Sequence, residues 1–439
     1  MPREREDACR ARSNPAEALA WTTVAFFAGF AGVSAFGPIV PKLRQTMDAG
    51  PFLMGILAAS PALSGSLLRI PFGAMVDRVG GKTPILVLLG LAAAGIAGIT
   101  GMFAHPVPPT AADYPWFLLF GVLCGCGIAI FSVGIPAVSY WYPQKRQGTA
   151  LAMYAGLGNL APGAFALLLP FLVIRLGFTW SYVFWLALLL VLAALVLLRM
   201  QDAPYFQYRR MGLPADPDAL AACGQELVPT GNAMESIHRA AADWRTWILT
   251  FFYFVSFGGF IALTVWLPTY WTAFFKVELV AAGLLTAAFS IAASLLRVAG
   301  GMLSDRIGGE RVAALSLTVI GVGALVLVFT ESSGAAALAG TLIIALGMGC
   351  ANAAVFKLVP KFTPKAVGGA AGIIGGLGAF GGFAIPPLMG LFVGAYGARG
   401  YALGFQIFVA LAVAALALFA VLKRAAARAE RAPALTRVK

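Results

Sequence analysis

Two arginines, Arg69 and Arg297, stand inside long apolar runs of the chain. Each lies eight residues before an Asp-Arg pair, Asp77–Arg78 and Asp305–Arg306. At 1.5 Å per helical residue, that spacing puts each guanidinium about 12 Å above the polar boundary, near the middle of a hydrocarbon layer about 30 Å thick. A charge at that depth is costly, and an ionisable residue there is a functional candidate by default. All 18 Asp and Glu fall in tails, in loops or at helix ends, so neither arginine has a carboxylate at its own depth. Backbone carbonyls, Asn or Tyr side chains could satisfy them, or they could snorkel. The reading that accounts for both is that the missing counter-ion is a ligand. Guanidinium presents its donors in a rigid planar fork, which suits a small anion with planar oxygens, and lysine would not reproduce that geometry. A dicarboxylate or a phosphate would also suit two arginines. The residues by themselves specify an anion and leave its identity open.

The chain that must position these groups has 439 residues, 60% of them hydrophobic and 11% charged, with a mean hydropathy of +0.86. Soluble proteins carry about 25% charged residues. A soluble enzyme is excluded, and the bilayer must be the main solvent. Twelve apolar runs are long enough to span it: 19–41, 51–76, 83–103, 114–141, 148–172, 180–200, 245–272, 279–303, 311–329, 335–360, 367–395 and 400–424. Of the 31 basic residues, Lys42, Arg44, Arg175, Lys276 and Arg399 fall on one side, and Arg69 and Arg297 lie within spans. All the others fall on the side of the two tails and the 201–244 stretch, which makes that side cytoplasmic. The expected organisation is an N-terminal tail (1–18), a six-helix half (19–200), a cytoplasmic linker (201–244), a second six-helix half (245–424) and a C-terminal tail (425–439). The polar, mixed-charge N-terminus does not read as a cleavable signal. The five cysteines lack metal-ligand spacing, and the histidines His105 and His238 fall in loops. No metal, cofactor or catalytic cluster is expected, and the chain does not read as an enzyme.

The halves repeat. Arg69, Gly73, Asp77, Arg78, Gly80 and Gly81 in RIPFGAMVDRVGGK pair with Arg297, Gly301, Asp305, Arg306, Gly308 and Gly309 in RVAGGMLSDRIGGE, at a constant separation of 228 residues. Gly156–Asn159 (GLGN) likewise matches Gly376–Ala379 (GLGA). Duplicated halves place a substrate site near the midplane between them. The G-x-x-x-D-R-x-G-G-K stretch at Gly73–Lys82 resembles the loop 2–3 motif of the major facilitator superfamily, with a second copy at Gly301–Glu310. That resemblance covers nearly the whole chain. It implies an all-α integral membrane protein of the major facilitator fold, with twelve helices in two pseudo-symmetric halves. Asp77, Arg78, Asp305 and Arg306 would then act as a cytoplasmic gate. The two aspartates could pair with Arg78, Lys82 or Arg306, or meet a facing helix end.

Spans 5 and 11 are rich in glycine, with Gly156, Gly158, Gly376 and Gly378 expected to pack helices closely near the site. Together with the two arginines, AGLGN at 155–159 and GGLGAFGGF at 375–383 resemble the nitrate/nitrite porter (NarK-type) family. The resemblance implies that the anion sits between Arg69 and Arg297, with Phe131, Asn159, Tyr253 and Phe257 around it. Apolar ring faces would favour a flat, weakly hydrated ion, and the Tyr hydroxyl and Asn amide would add hydrogen bonds. Asn352 has a weaker claim. The implied protein is a monomeric carrier of nitrate and/or nitrite in a bacterial inner membrane, working by alternating access and serving nitrate assimilation, with nitrate/nitrite exchange as its mode. Proton symport, or a porter for another small anion such as a monocarboxylate, are the alternatives. A sensor would be expected to carry an added signalling domain.

Overall fold

The computed structural model describes residues 11–229, 233–330, 333–363 and 366–431, and the described residues form helices without strands. Eleven helical runs are long and apolar enough to cross a bilayer. The longest, Gln144–Arg199, holds two spans, because Gly177 has φ +75° in its middle and turns the chain within one residue. Only glycine adopts that backbone conformation without strain. The twelve spanning helices are α1 (Pro15–Leu43), α2 (Pro51–Val79), α3 (Lys82–Ala104), α4 (Ala111–Ser139), α5 (144–176), α6 (178–199), α7 (Trp244–Phe274), α8 (Leu279–Ile307), α9 (Gly309–Phe329), α10 (Gly334–Phe362), α11 (367–396) and α12 (Gln406–Arg431).

Most ends fall within a few residues of the hydropathy reading, and two differ for local reasons. Helix α1 starts at Pro15 because Asn14 caps it, its side chain accepting the Glu17 N–H at 2.9 Å, with proline at the first helical position. At the other end of the chain, Gly400–Leu403 is a separate short helix, and α12 starts only at Gln406.

Several spans are irregular at mid-depth. Helix α2 breaks at Leu68, α4 tightens to a 3₁₀ turn over Cys126–Ala129, and α5 breaks at Asn159–Leu160. Helix α7 widens to a π-turn over Phe254–Gly258, and α11 breaks at Phe380. The halves meet most tightly at the end away from the termini. A Cβ on Gly55 of α2 would lie 2.9 Å from the Pro386 carbonyl of α11, and one on Gly283 of α8 would lie 2.5 Å from the Ala166 carbonyl of α5. At the end that carries the termini, Gly148, Gly368 and Gly372 meet nothing within 4 Å.

The stretch between the halves is folded onto them. Its helices are Pro204–Arg210, Pro217–Ala222 and Ala233–Ala241. Asp202 is buried at the turn between α2 and α3, where it accepts the Lys82 N–H at 2.8 Å and pairs with Arg210 at 2.5 Å. Gly80 supports this arrangement in two ways. Its φ is +85°, and a Cβ there would lie 2.5 Å from the Asp202 carboxyl carbon. Later in the same stretch, Ser236 accepts the Gly369 N–H of α11 at 3.0 Å.

Asp202→Ala leaves the Lys82 N–H and Arg210 without their acceptor and is expected to cost about 1–3 kcal/mol, read as a lower unfolding temperature in detergent. Gly80→Ala adds backbone strain of about 1–3 kcal/mol to a steric clash with Asp202. Because Asp202→Ala removes the clash, the double variant should lose less than the sum of the singles. Strict additivity would show that the contact does not matter.

Candidate functional site

Three mid-depth irregularities and the unbroken α8 bring four groups into one cluster. Arg69 is the first residue after the break in α2, and it is fully buried. Phe131 follows the 3₁₀ turn of α4, and Phe257 lies in the π-turn of α7. The Arg69 guanidinium carbon sits 4.8 Å from the Phe131 ring centre and 5.0 Å from that of Phe257. The Arg297 guanidinium carbon, from α8, sits 5.6 Å and 5.9 Å from the same two rings. The rings stack on each other with centroids 5.8 Å apart. Each half thus sends one arginine and one phenylalanine to the same place. Each guanidinium–ring contact stabilises the cation by about 0.5–2 kcal/mol, well short of replacing its hydration.

The protein satisfies Arg69 in part. Its Nε donates to the Gly65 carbonyl at 3.1 Å, and one terminal nitrogen donates across the halves to the Gly375 carbonyl of α11 at 3.0 Å. Its other terminal nitrogen, Nη2, is buried with no partner, and so is Nη1 of Arg297. Neither arginine pairs with a carboxylate among the described residues. Tyr253 stacks on Phe257 at 4.9 Å. Its buried hydroxyl lies beside the Arg69 guanidinium without a well-formed hydrogen bond. Asn159 sits at the break in α5 with its side-chain oxygen unpaired, and its carbonyl accepts from Ser294 of α8 at 2.9 Å. Asn159 and Asn352 face the same narrow space as Phe257 and Arg297.

The space lined by Asn159, Phe257, Phe260, Ser294, Arg297 and Asn352 is too narrow for a water-sized sphere. The aspartates have other partners than expected. Asp77 accepts from Tyr140 at 2.6 Å, and Asp305 pairs with Lys357. Both partners lie on or just past the neighbouring helix of the same half, α4 or α10, and Lys82 donates its backbone N–H to Asp202 instead. Arg78 and Arg306 are exposed.

Sequence reasoning missed the supports. The Tyr154 hydroxyl donates to the Ile130 carbonyl at 2.8 Å and sits 3.1 Å from that of Phe131, so it fixes the segment that carries the ring. Phe26 packs against both rings, Phe131 at 5.4 Å and Tyr154 at 5.1 Å. A lone tyrosine five residues before Asn159 in an apolar run was the available signal. Asn352, weighed only weakly, lines the site, and the Gly375 carbonyl leaves no trace in a sequence.

The four glycines divide. A Cβ on Gly158 would lie 1.9 Å from Phe26, and one on Gly378 would lie 2.8 Å from Tyr253. On Gly376 it would lie 2.9 Å from the flexible end of Ile70, and on Gly156 nothing comes closer than 3.9 Å. Alanine should therefore destabilise in the order Gly158, Gly378, Gly376, Gly156. The first should cost about 1–3 kcal/mol and the last close to nothing. Unfolding temperatures of the four variants test the order, and equal losses would refute the close approach of the rings.

The sequence pattern described as Major Facilitator Superfamily matches residues 22–285 and 246–437. The chain is 31% identical over 361 residues to the "Probable nitrate/nitrite transporter NarK2" of Mycobacterium tuberculosis, covering 81% of this chain and 83% of that one. It is also 31% identical to the "Probable nitrate/nitrite antiporter NarK1" of Thermus thermophilus, covering 84% and 83%. Among solved structures, the fold superposes on a D-xylose-proton symporter with a TM-score of 0.72 at 13% identity, over 93% of this chain and 97% of that one. The chain is thus a multi-pass membrane transporter, not an enzyme, and belongs to the Major Facilitator Superfamily, in its nitrate/nitrite porter family.

Proposed function

We propose that the protein carries nitrate and nitrite across the bacterial inner membrane by alternating access, exchanging one for the other. The observation that carries this reading is the pair of buried guanidinium nitrogens on Arg69 and Arg297 that have no partner, set against stacked rings with no carboxylate among the described neighbours. A small planar oxyanion supplies the missing acceptors. The Phe131 and Phe257 faces suit an ion of low hydration, and the Tyr253 hydroxyl is free to donate to it. Relatives named for nitrate and nitrite point to the same ion.

The geometry also supports exchange. Arg69 reaches across the halves to the Gly375 carbonyl, and Ser294 reaches across to Asn159. Rocking the halves must loosen these bonds. In an empty carrier that step strips partners from two cations which already lack counter-charge, at a desolvation cost. A bound anion offsets it, so the loaded carrier crosses more readily than the empty one. The charge asymmetry supports cytoplasmic termini. At the far end the halves approach closely, at Gly55 with Pro386 and at Gly283 with Ala166. Asp77–Tyr140 and Asp305–Lys357 each tie helices within one half, and as a gate these contacts would rearrange when the cytoplasmic end closes.

Labelled nitrate uptake into proteoliposomes should require nitrate or nitrite inside. Equal uptake into anion-free vesicles under an inward proton gradient would overturn exchange in favour of symport. Arg69→Lys and Arg297→Lys keep the charge and lose the fork, and each should weaken nitrate binding roughly 10- to 100-fold. A near-normal affinity in either variant removes that arginine from the site. Effective competition by formate but not by nitrite would instead favour a monocarboxylate porter.

A further inference from the structure

Away from the central cluster, a second arginine of the first half reaches the other half without a carboxylate. It lies at the end away from the termini, beside the close approach of Gly55 to Pro386. Arg44, just past the end of α1, donates to the Tyr401 hydroxyl at 2.8 Å. Tyr401 belongs to the short helix Gly400–Leu403 of the second half. Arg44 pairs with no carboxylate among the described residues. Its side chain is exposed, whereas Tyr401 is buried and packs on Trp266 of α7 with ring centroids 5.8 Å apart.

Arg44, Tyr401 and Trp266 line one small cleft together with Val40, Met54 and Thr269. The cleft measures about 20 Å³, room for a single water. Trp266 is only 5% exposed, and its indole N–H is buried with no partner. Buried donors are nearly always paired, so this one calls for an acceptor that arrives in another state. Trp266 stands nine residues beyond Phe257 on α7, about 13 Å farther along the helix. The cleft thus lies on the boundary between the halves, outward of the central arginines.

We infer that this cleft is a second station for the transported anion, a small oxyanion held by Arg44 and Trp266 as it passes the far mouth. The inference rests on the anion reading of the central pair. Opening the far end separates Arg44, on the first half, from Tyr401, on the second. The guanidinium then lacks its acceptor, and the indole N–H gains room for one. An oxyanion supplies both. A charged oxygen is a stronger acceptor for guanidinium than a neutral phenol. Because Arg44 is exposed, the ion reaches it from solution while the mouth is still closed. In taking the place of Tyr401, it loosens a bond that holds the halves together. On closing, Tyr401 takes the guanidinium back and the anion moves on.

The test is nitrate uptake into right-side-out membrane vesicles loaded with nitrite, made from cells without another nitrate carrier. R44Q should raise the KM for outside nitrate about tenfold, with the maximal rate kept. W266F keeps a ring and loses the N–H, and should raise KM about threefold. Y401F keeps the ring and removes the competing acceptor, and should lower KM about threefold. R44Q and Y401F break the same bond, so a mere tie between the halves would make them shift KM alike. R175Q, at an exposed arginine on the same side, should leave KM unchanged. Should R44Q fail to reach the membrane, W266F against Y401F serves the same comparison. Shifts of R44Q and Y401F in the same direction, or an R175Q effect as large as that of R44Q, would overturn the station and leave the central site standing. A wild type that neither binds nor exchanges nitrate would instead overturn the reading on which the station rests.

Discussion

Two guanidiniums share one cluster midway along the spanning helices, and no carboxylate among the described residues joins them. The rest of the structure is arranged around that imbalance. Burying a cation without a counter-charge is unfavourable by several kcal/mol even after relaxation, and several nearby groups offset part of it. Two ring faces, two backbone carbonyls and a tyrosine hydroxyl surround Arg69. These are all weak or partial partners. They hold the side chain in place without neutralising it, and a site for a mobile anion needs that combination.

Local irregularity in the helices makes the cluster possible. A straight α-helix presents a given face only at fixed intervals. The break at Leu68, the 3₁₀ turn before Phe131, the π-turn holding Phe257 and the break at Asn159 each rotate or free one residue at the same depth. π-turns and interrupted spans concentrate at functional sites because their backbone groups can be satisfied only where protein surrounds them. Close helix approach does the rest. Gly158 and Gly378 let Phe26 and Tyr253 pack where any side chain on α5 or α11 would stand. The two glycine-rich segments thus act through the aromatic residues behind the site as well as through their own backbone.

The fold was readable in the sequence because bilayer crossing writes itself in hydropathy, and because the repeat at constant spacing marks two halves. Arg69 and Arg297 stood out for a related reason, since charge is rare in such runs. Their partners did not stand out. The Gly375 and Gly65 carbonyls have no sequence signature, and Tyr154 acts on Phe131 through a neighbouring segment that no spacing rule connects. Asp77 and Asp305 were legible as helix-end acids, but their partners Tyr140 and Lys357 come from helix packing. Asp202 read as part of a tether, because nothing in its polar surroundings shows that Gly80 leaves room for a carboxylate. The hydropathy reading also left residues 173–179 between the fifth and sixth spans, where the structure turns at Gly177 alone.

That corner makes α5 and α6 one helical hairpin. With a single residue at the bend they have no loop of their own, and Arg175 is the only charged residue between Arg146 and Arg199. The hairpin keeps its shape through the backbone freedom of one glycine.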